Sequence, residues 1–303
     1  MKILTDDDFR RIRAIRAESP QEIRDALARR RRREVIRGDG RLFIIAADHP
    51  ARGALAVGSA PNAMADRCEL LDRLAVALRH PGVDGVLGTP DIIDDLALLG
   101  LLEDKIVVGS MNRGGLRGAS FEMDDRYTGY DVPAMLDSGV DFAKALLRVN
   151  LDDDGTAPTL AATAEVVTAA ARADLPIMLE PFMSRHVGGR VVNDLDPESV
   201  MLSIAIASGL GTSSRSTWLK LPVVDDMERV LSATTMPVLL LGGDAGADPD
   251  DTFSSWEGAL SLPGVRGLTV GRTLLYSNGD VESAIDTAAR LVHPELTQPR
   301  THS

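Results

Sequence analysis

The 303-residue chain holds one cysteine, Cys68, which excludes an internal disulfide. A single thiol suits a reducing cytoplasm, the compartment expected here. Cys68 lies in the helical pattern MADRCELLDRLAVAL, where a buried structural thiol is expected. Long apolar runs are also missing. None approaches the ~18 residues of a membrane span, and the start MKILTDDDFRRIR has no apolar signal core. No membrane partner is expected. Positive charge is short: 33 Lys and Arg against 45 Asp and Glu give a formal charge of −12. That balance argues against a nucleic-acid partner, which needs a basic footprint. It fits a protein kept in solution by self-repulsion. The scarcest cation is lysine. Only Lys2, Lys105, Lys144 and Lys220 occur, and arginine carries the rest of the positive charge.

What is present is a globular composition, 44% hydrophobic, with enough apolar residues for a large core. Residues 1–38 read as an arginine-dense helical extension. In SPQEIRDALARRRRREVI, Ser19 is placed to cap, Pro20 suits the first turn, and Glu22 stands three residues after Ser19. The run Arg29–Arg33 reads as a solvated helix face or a subunit contact. After GDG the texture changes to short apolar runs, at 41–48, 83–90, 105–111, 141–150, 175–182, 216–222, 236–244 and 265–272. Most are separated by helical stretches such as AATAEVVTAAARAD. Strands alternating with helices imply a parallel sheet. Eight such units over about 260 residues fit a closed (β/α)8 TIM barrel. An open doubly wound sheet usually carries a Gly-rich phosphate loop after its first strand, and AADHPARGAL is not one. The expected organisation is an extension at 1–38, one barrel at 39–293 and a tail at 294–303.

In such a barrel chemistry sits at the C-terminal ends of the strands. The first run ends in Asp48, the fourth carries Lys144 and Arg148, the fifth ends in Glu180, and the sixth, STWLKLP, carries Lys220. Side chains alternate along a strand. Phe142, Lys144, Leu146 and Arg148 therefore share a face, as do Met178 with Glu180 and Trp218 with Lys220. If those faces point inward, two amines and two carboxylates meet in one cavity. Buried charges are costly unless paired or used, and a purely structural pair would be served as well by arginine, which bonds carboxylates better. Lysine differs in being able to lose its proton and attack a carbonyl, forming a Schiff base. Burial and a second nearby cation would lower the amine pKa toward that end. Two amines and two acids are the parts of a Schiff-base aldolase, which calls for no cofactor and no metal.

The last two runs, LLLGGDAG and LTVGRTLL, place Gly242, Gly243, Gly271 and Arg272 where barrels of this kind hold phosphate with backbone N–H groups. The expected partner is thus a phosphorylated small molecule. The segment at 110–132 is long and rich in Gly and polar residues, and reads as a lid over the site. Its Asn112, Arg113, Asp125 and Arg126, with Arg148, are candidates to meet the substrate's polar end.

The chain resembles the class I aldolases of the tagatose-bisphosphate, sulfofructose-phosphate and bacterial class I fructose-bisphosphate aldolase group. The likeness rests on AADHPARGAL, FAKALLRVN, PIMLEPF, WLKLPVV and PVLLLGGD taken in order over about residues 41–275. AADHPARGAL has two residues more than the group's pattern before Arg52 and Gly53. The resemblance implies that Lys220 is the Schiff-base lysine, Glu180 an acid/base, Lys144 a helper cation and Asp48 a site carboxylate. More narrowly, the chain is similar to an actinobacterial deoxyribose-phosphate-aldolase-like family found beside inositol-catabolism genes. That likeness implies cleavage of 5-dehydro-2-deoxy-6-phosphogluconate to dihydroxyacetone phosphate and malonate semialdehyde, and a homo-oligomer is expected. Two other classes stay open. His49 and His186, with Asp48 and Glu180, could form a divalent-metal lyase site, and a barrel could bind a sugar phosphate without turning it over.

Overall fold

The structure, a computed structural model, describes residues 2–112, 115–242, 249–277 and 280–297. Eight parallel strands form its centre: β1 (Leu42–Ala46), β2 (Gly85–Gly88), β3 (Ile106–Ser110), β4 (Phe142–Val149), β5 (Ile177–Val187), β7 (Thr217–Leu221), β8 (Val238–Leu241) and β9 (Val265–Val270). They pair in the order β4-β3-β2-β1-β9-β8-β7-β5, and the pairing of β4 with β5 closes the ring. The fold is a (β/α)8 barrel.

The period-two pattern decides what lies inside. Leu42, Ile44, Ala46, Leu87, Ile106, Val108, Phe142, Met178 and Leu239 form one buried cluster with Trp218 packed against it, and this fills the barrel. The alternate residues, such as Phe43, Ile45, Val107, Ala143 and Leu219, join the outer core under the helices. Strands covered on both faces read as unbroken apolar runs, and β1, β3 and β4 are buried at every position. At Gly267, with φ +131°, a Cβ would lie 1.9 Å from the Leu42 carbonyl oxygen, so only glycine lets β9 approach β1 here.

The helices are α1 (Asp6–Glu18), α2 (Gln21–Arg29), α3 (Arg67–Arg79), α4 (Pro90–Leu98), α5 (Val132–Asp137), α6 (Thr156–Arg172), α7 (Pro197–Ser208), α8 (Met227–Leu231), α9 (Pro249–Leu260), α10 (Arg272–Leu275) and α11 (Val281–Val292). Among the described residues no helix is long and apolar enough to cross a membrane. Cys68 lies on α3 only half-buried, with Arg13 Nη2 at 3.6 Å, rather than sealed in the core.

The N-terminal segment departs from the expected helix. A new helix does start after Ser19–Pro20, as that stretch implied, but the capping box belongs to Thr5 and Asp8 at the start of α1. Ser19 ends α1, and α2 starts with no side-chain cap. The arginine run is neither a helix face nor a free patch. Residues 30–34 leave the helix and run under the barrel. Arg30 Nη2 meets Asp141 at 3.0 Å with both side chains 2% exposed, Arg32 Nε meets the same carboxylate at 2.8 Å, and Arg33 Nη1 meets Asp84 at 2.6 Å. Asp84 and Asp141 immediately precede β2 and β4, so the run clamps the floor of the barrel. His293, after α11, adds Nε2 to Asp84 at 3.0 Å and Nδ1 to Asp39 at 2.8 Å.

One strand was not anticipated. β5 runs beyond the barrel to Val187, turns through Gly188 and Gly189, both at positive φ, and pairs antiparallel with β6 (Arg190–Asn193). Two glycines between strand-like segments are a strong hairpin signal, and HVGGRVV carries it.

Candidate active site

The apolar filling of the barrel stops at a charged layer. Along β4, Phe142 belongs to the filling and Lys144 is the next residue on that face. Glu180 follows Met178 on β5, Lys220 follows Trp218 on β7, and Asp48 extends the parity of β1. The four side chains converge. Lys144 Nζ lies 2.9 Å from Asp48 Oδ2 and 2.7 Å from Glu180 Oε2. Lys220 Nζ donates to Glu180 Oε1 at 2.6 Å. One carboxylate thus holds both amines. Ser110, third in the inward parity of β3, donates its hydroxyl to Asp48 Oδ2 at 3.1 Å. The sequence reading missed it, although Ile106, Val108 and Ser110 share a face by the same alternation.

The side chains of Lys144, Lys220, Asp48 and Glu180 are only 3, 5, 6 and 11% exposed. Removing four charges from water costs several kcal/mol per ion, and mutual pairing roughly offsets this at best. Apolar residues would hold a barrel as well, which makes the quartet a candidate for chemistry rather than for stability. Its members are driven apart electrostatically. Burial lowers the Lys220 pKa, and the Lys144 charge lowers it further, against the pull of Glu180. Burial also acts against Lys144, but Asp48 and Glu180 together outweigh it and raise that amine. Burial alone would raise Glu180, yet Lys144 and then Lys220 bring it down to about 2. Asp48 is lowered well below the carboxylate range because Lys144, His49 and Lys220 overcome its burial. The result is one firmly charged lysine beside one weakened one.

The quartet forms the floor of a cavity of about 700 Å³. Gly242, Gly271 and Arg272 line one side of it. A Cβ at Gly271 would stand 2.2 Å from the Ala46 carbonyl oxygen and one at Gly242 2.4 Å from Val270 Cγ1, so both positions require glycine. The Thr273 hydroxyl donates to the Gly242 carbonyl at 3.1 Å and ties the two turns together. Gly243 and Arg113 lie outside the described residues.

Two expected binding residues are committed elsewhere. Asn112 donates Nδ2 to the Leu146 carbonyl at 2.8 Å and accepts from the Leu146 N–H at 3.0 Å. Its amide acts as an extra peptide beside β4, and Asn112 is not among the residues that line the cavity. Arg148 reaches the cavity wall, but Nε and Nη2 hold Asp125, Nη1 holds Glu122 at 3.1 Å, and Nη2 also donates to the carbonyls of Gly115 and Glu122. It fastens the segment after β3 down onto β4. Asp125 is consumed in that clamp, and Arg126 is exposed and paired with Asp124. Arg117 and Glu122 are the described residues of the segment that border the cavity.

His49 does face the cavity. Its Nδ1 is buried without a hydrogen-bond partner and lies 3.8 Å from Asp48 Oδ1. Burial, with Arg272 and Lys220 nearby, lowers its pKa to about 3, so the imidazole is neutral. The metal-centred alternative loses its donor set: His186 pairs with Asp153 at 2.7 Å on the exposed end of β5. Among the described residues no group of three His, Cys, Asp or Glu could hold an ion.

The model of the Cgl0159-like family matches residues 40–289. The crystal structure of Cgl0159 from Corynebacterium glutamicum is 66% identical, with a TM-score of 0.95 over 97% of this chain and 100% of that one. An archaeal fructose 1,6-bisphosphate aldolase is similar at 20% identity and TM-score 0.62, over 90% of this chain and 99% of that one. A Schiff-base-forming fructose-1,6-bisphosphate aldolase is similar at 21% identity and TM-score 0.60, over 89% and 100%. The last two share the barrel fold. No curated protein sequence matches.

Proposed function

The chain belongs to the Cgl0159-like family, and we propose that it is a carbon–carbon lyase, a class I aldolase acting through a Schiff base on Lys220. The substrate is a phosphorylated keto sugar or keto sugar acid. 5-Dehydro-2-deoxy-6-phosphogluconate, cleaved to dihydroxyacetone phosphate and malonate semialdehyde, is the specific candidate. The observation that carries the reading is the shared carboxylate: Glu180 holds two lysines whose pKa values are pushed in opposite directions. A structural ion pair has no use for that difference, whereas a nucleophilic amine does.

Each residue then has a step. Lys220 passes a proton to Glu180, 2.6 Å away, and the free amine adds to the substrate ketone. Glu180 returns the proton to the carbinolamine hydroxyl, which leaves as water and gives a protonated imine. The carbon–carbon bond beyond the imine breaks as its electrons flow to the imine nitrogen. Glu180 takes the proton of the departing hydroxyl, and the aldehyde leaves. The enamine is protonated at carbon, and water releases the ketone and restores the amine. Lys144, held charged by Asp48 and Glu180, steadies oxygen charge during cleavage. Gly242, Gly271 and Arg272 supply close backbone and a cation for the phosphate.

The test is borohydride reduction in the presence of dihydroxyacetone phosphate, read by mass spectrometry. A three-carbon phosphate adduct on Lys220, absent in Lys220→Arg and unaffected by chelator, is expected. An adduct on Lys144 would overturn the assignment. Activity lost to chelator with no adduct would favour metal chemistry, and neither result would leave a non-catalytic binding barrel.

A further inference from the structure

Arg52 is a cavity-lining cation that the steps above do not use. It closes the short turn His49–Arg52 after β1, and the backbone on either side is fixed. Its carbonyl accepts from the Arg117 N–H at 2.9 Å, and Gly53 follows in the left-handed region at φ +73°. The guanidinium lines the cavity, and its Nε is buried with no hydrogen-bond partner. Among the described residues it makes no ion pair. Arg148 beside it is the contrast, with its guanidinium engaged by Asp125 and Glu122. Burial, then Arg148, lowers the Arg52 pKa against the pull of Asp125, Glu180 and Asp48. A half-buried guanidinium without a partner is costly to keep unless a ligand completes it.

Its place around the barrel says which part of a substrate would do so. Arg52 follows β1, which pairs with β2 and β9, but it leans toward the segment after β3, whose Arg117 N–H bonds its carbonyl, and Arg148 of β4 and Asp125 of that segment act on its charge together with Glu180 and Asp48. In the ring order β3 and β4 stand opposite β8 and β9, whose turns carry Gly242, Gly271 and Arg272. A ketone tethered to Lys220 with its phosphate against β8 and β9 directs its far half across Lys144 toward Arg52. That far half departs as the aldehyde. A single guanidinium with Asp48 and Glu180 close by is poorly suited to a phosphate dianion. Its planar fork matches the two oxygens of a carboxylate.

We propose that Arg52 is the specificity residue for the aldehyde half, binding a carboxylate there, so that the substrate class is a keto acid with a phosphate at one end and a carboxylate at the other. This rests on the Schiff-base reading above and narrows it. The electron count of cleavage is unchanged, because the carboxylate stays on the aldehyde product and takes no part in bond breaking.

The test runs the reaction in the aldol direction, with dihydroxyacetone phosphate and three aldehydes: succinate semialdehyde, glyceraldehyde 3-phosphate and neutral butanal. The wild type should favour succinate semialdehyde over butanal by about 10–100-fold in kcat/KM, the range of a hydrogen-bonded charge. Arg52→Gln should lose about that factor for succinate semialdehyde, mostly in KM, and at least fivefold less for butanal. Arg52→Lys should recover part of it. Borohydride trapping of dihydroxyacetone phosphate at wild-type yield would show that each variant is folded and able to form the imine. A wild type with no preference for the acid aldehyde overturns the proposal without reference to any variant. So does an equal loss for all three aldehydes in Arg52→Gln, or a loss largest for glyceraldehyde 3-phosphate, which would make the subsite one for phosphate. Trapping that fails in the wild type would instead remove the Schiff-base reading, and the proposal with it.

Discussion

Replacing Lys144 by methionine tests the electrostatic division between the two lysines. The two amines sit on the two oxygens of Glu180, at 2.7 and 2.6 Å, which puts them roughly 5 Å apart by ordinary hydrogen-bond geometry. Two unit charges at that distance repel by about 3 kcal/mol at an effective dielectric constant of about 20. That corresponds to roughly 2 pKa units at Lys220. The substitution also leaves Asp48 and Glu180 without their shared cation, so both carboxylates favour a protonated Lys220. Both effects have the same sign. The Lys220 pKa rises, and the acid limb of the pH–rate profile moves up by about 2 units or more. Near neutral pH the rate of imine formation should fall about 100-fold or more and recover as pH is raised. The cleavage step should stay slow even at high pH, because the charge that steadies the departing oxygen is gone. The assay is a pH series of single-turnover borohydride trapping alongside kcat for wild type and variant. An unmoved acid limb together with normal kcat would refute the reasoning and reduce Lys144 to a structural ion-pair partner.

Other consequences are as direct. Arg272→Ala should raise KM for a phosphorylated substrate about tenfold or more, since a hydrogen bond to a charged group is worth roughly 1.5–3 kcal/mol; equal wild-type turnover of the unphosphorylated analogue would mean that no phosphate is bound there. Arg30→Met removes the buried partner of Asp141 while leaving Arg32 and the Val107 N–H in place. It should cost about 3 kcal/mol in denaturant unfolding, and a change below about 1 kcal/mol would show that the floor clamp is redundant. His293 has a raised pKa: burial opposes its charge, but Asp84 and Asp39 outweigh it. Its contribution is complete below the unfolded value of about 6.5 and is lost as pH rises through the higher folded value. His293→Asn should therefore destabilise more at pH 6 than at pH 9, and a pH-independent loss would mean that only the neutral ring matters.

Much of the site was legible because strand chemistry is local. An apolar run flanked by turn residues marks a strand, and a period of two assigns Lys144, Glu180 and Lys220 to the face of Phe142, Met178 and Trp218 whatever the rest of the chain does. The scarcity of lysine added a chemical reason to single out those positions. The same alternation identifies Ser110, and the glycine pair of HVGGRVV identifies the hairpin, so both were available from the sequence. Partner choice was not. Asp48 and Lys144 are 96 residues apart, and Glu180 and Lys220 are 40 apart. Which carboxylate would serve two amines depends on the closure of β4 against β5. Asn112 and Arg148 looked like ligand-binding residues until the fold filled their hydrogen bonds with β4 and the segment after β3. The arginine run looked like a helix face until Asp84 and Asp141 arrived beneath the barrel to meet it. Alternation is fixed within a few residues of backbone, and the sequence alone determined it. Whether a polar side chain is spent on its own protein or left for a ligand is fixed only when distant segments meet, and there the tertiary structure decided that Arg148 is committed and that Arg52, four residues past Asp48, finds no partner among the described residues.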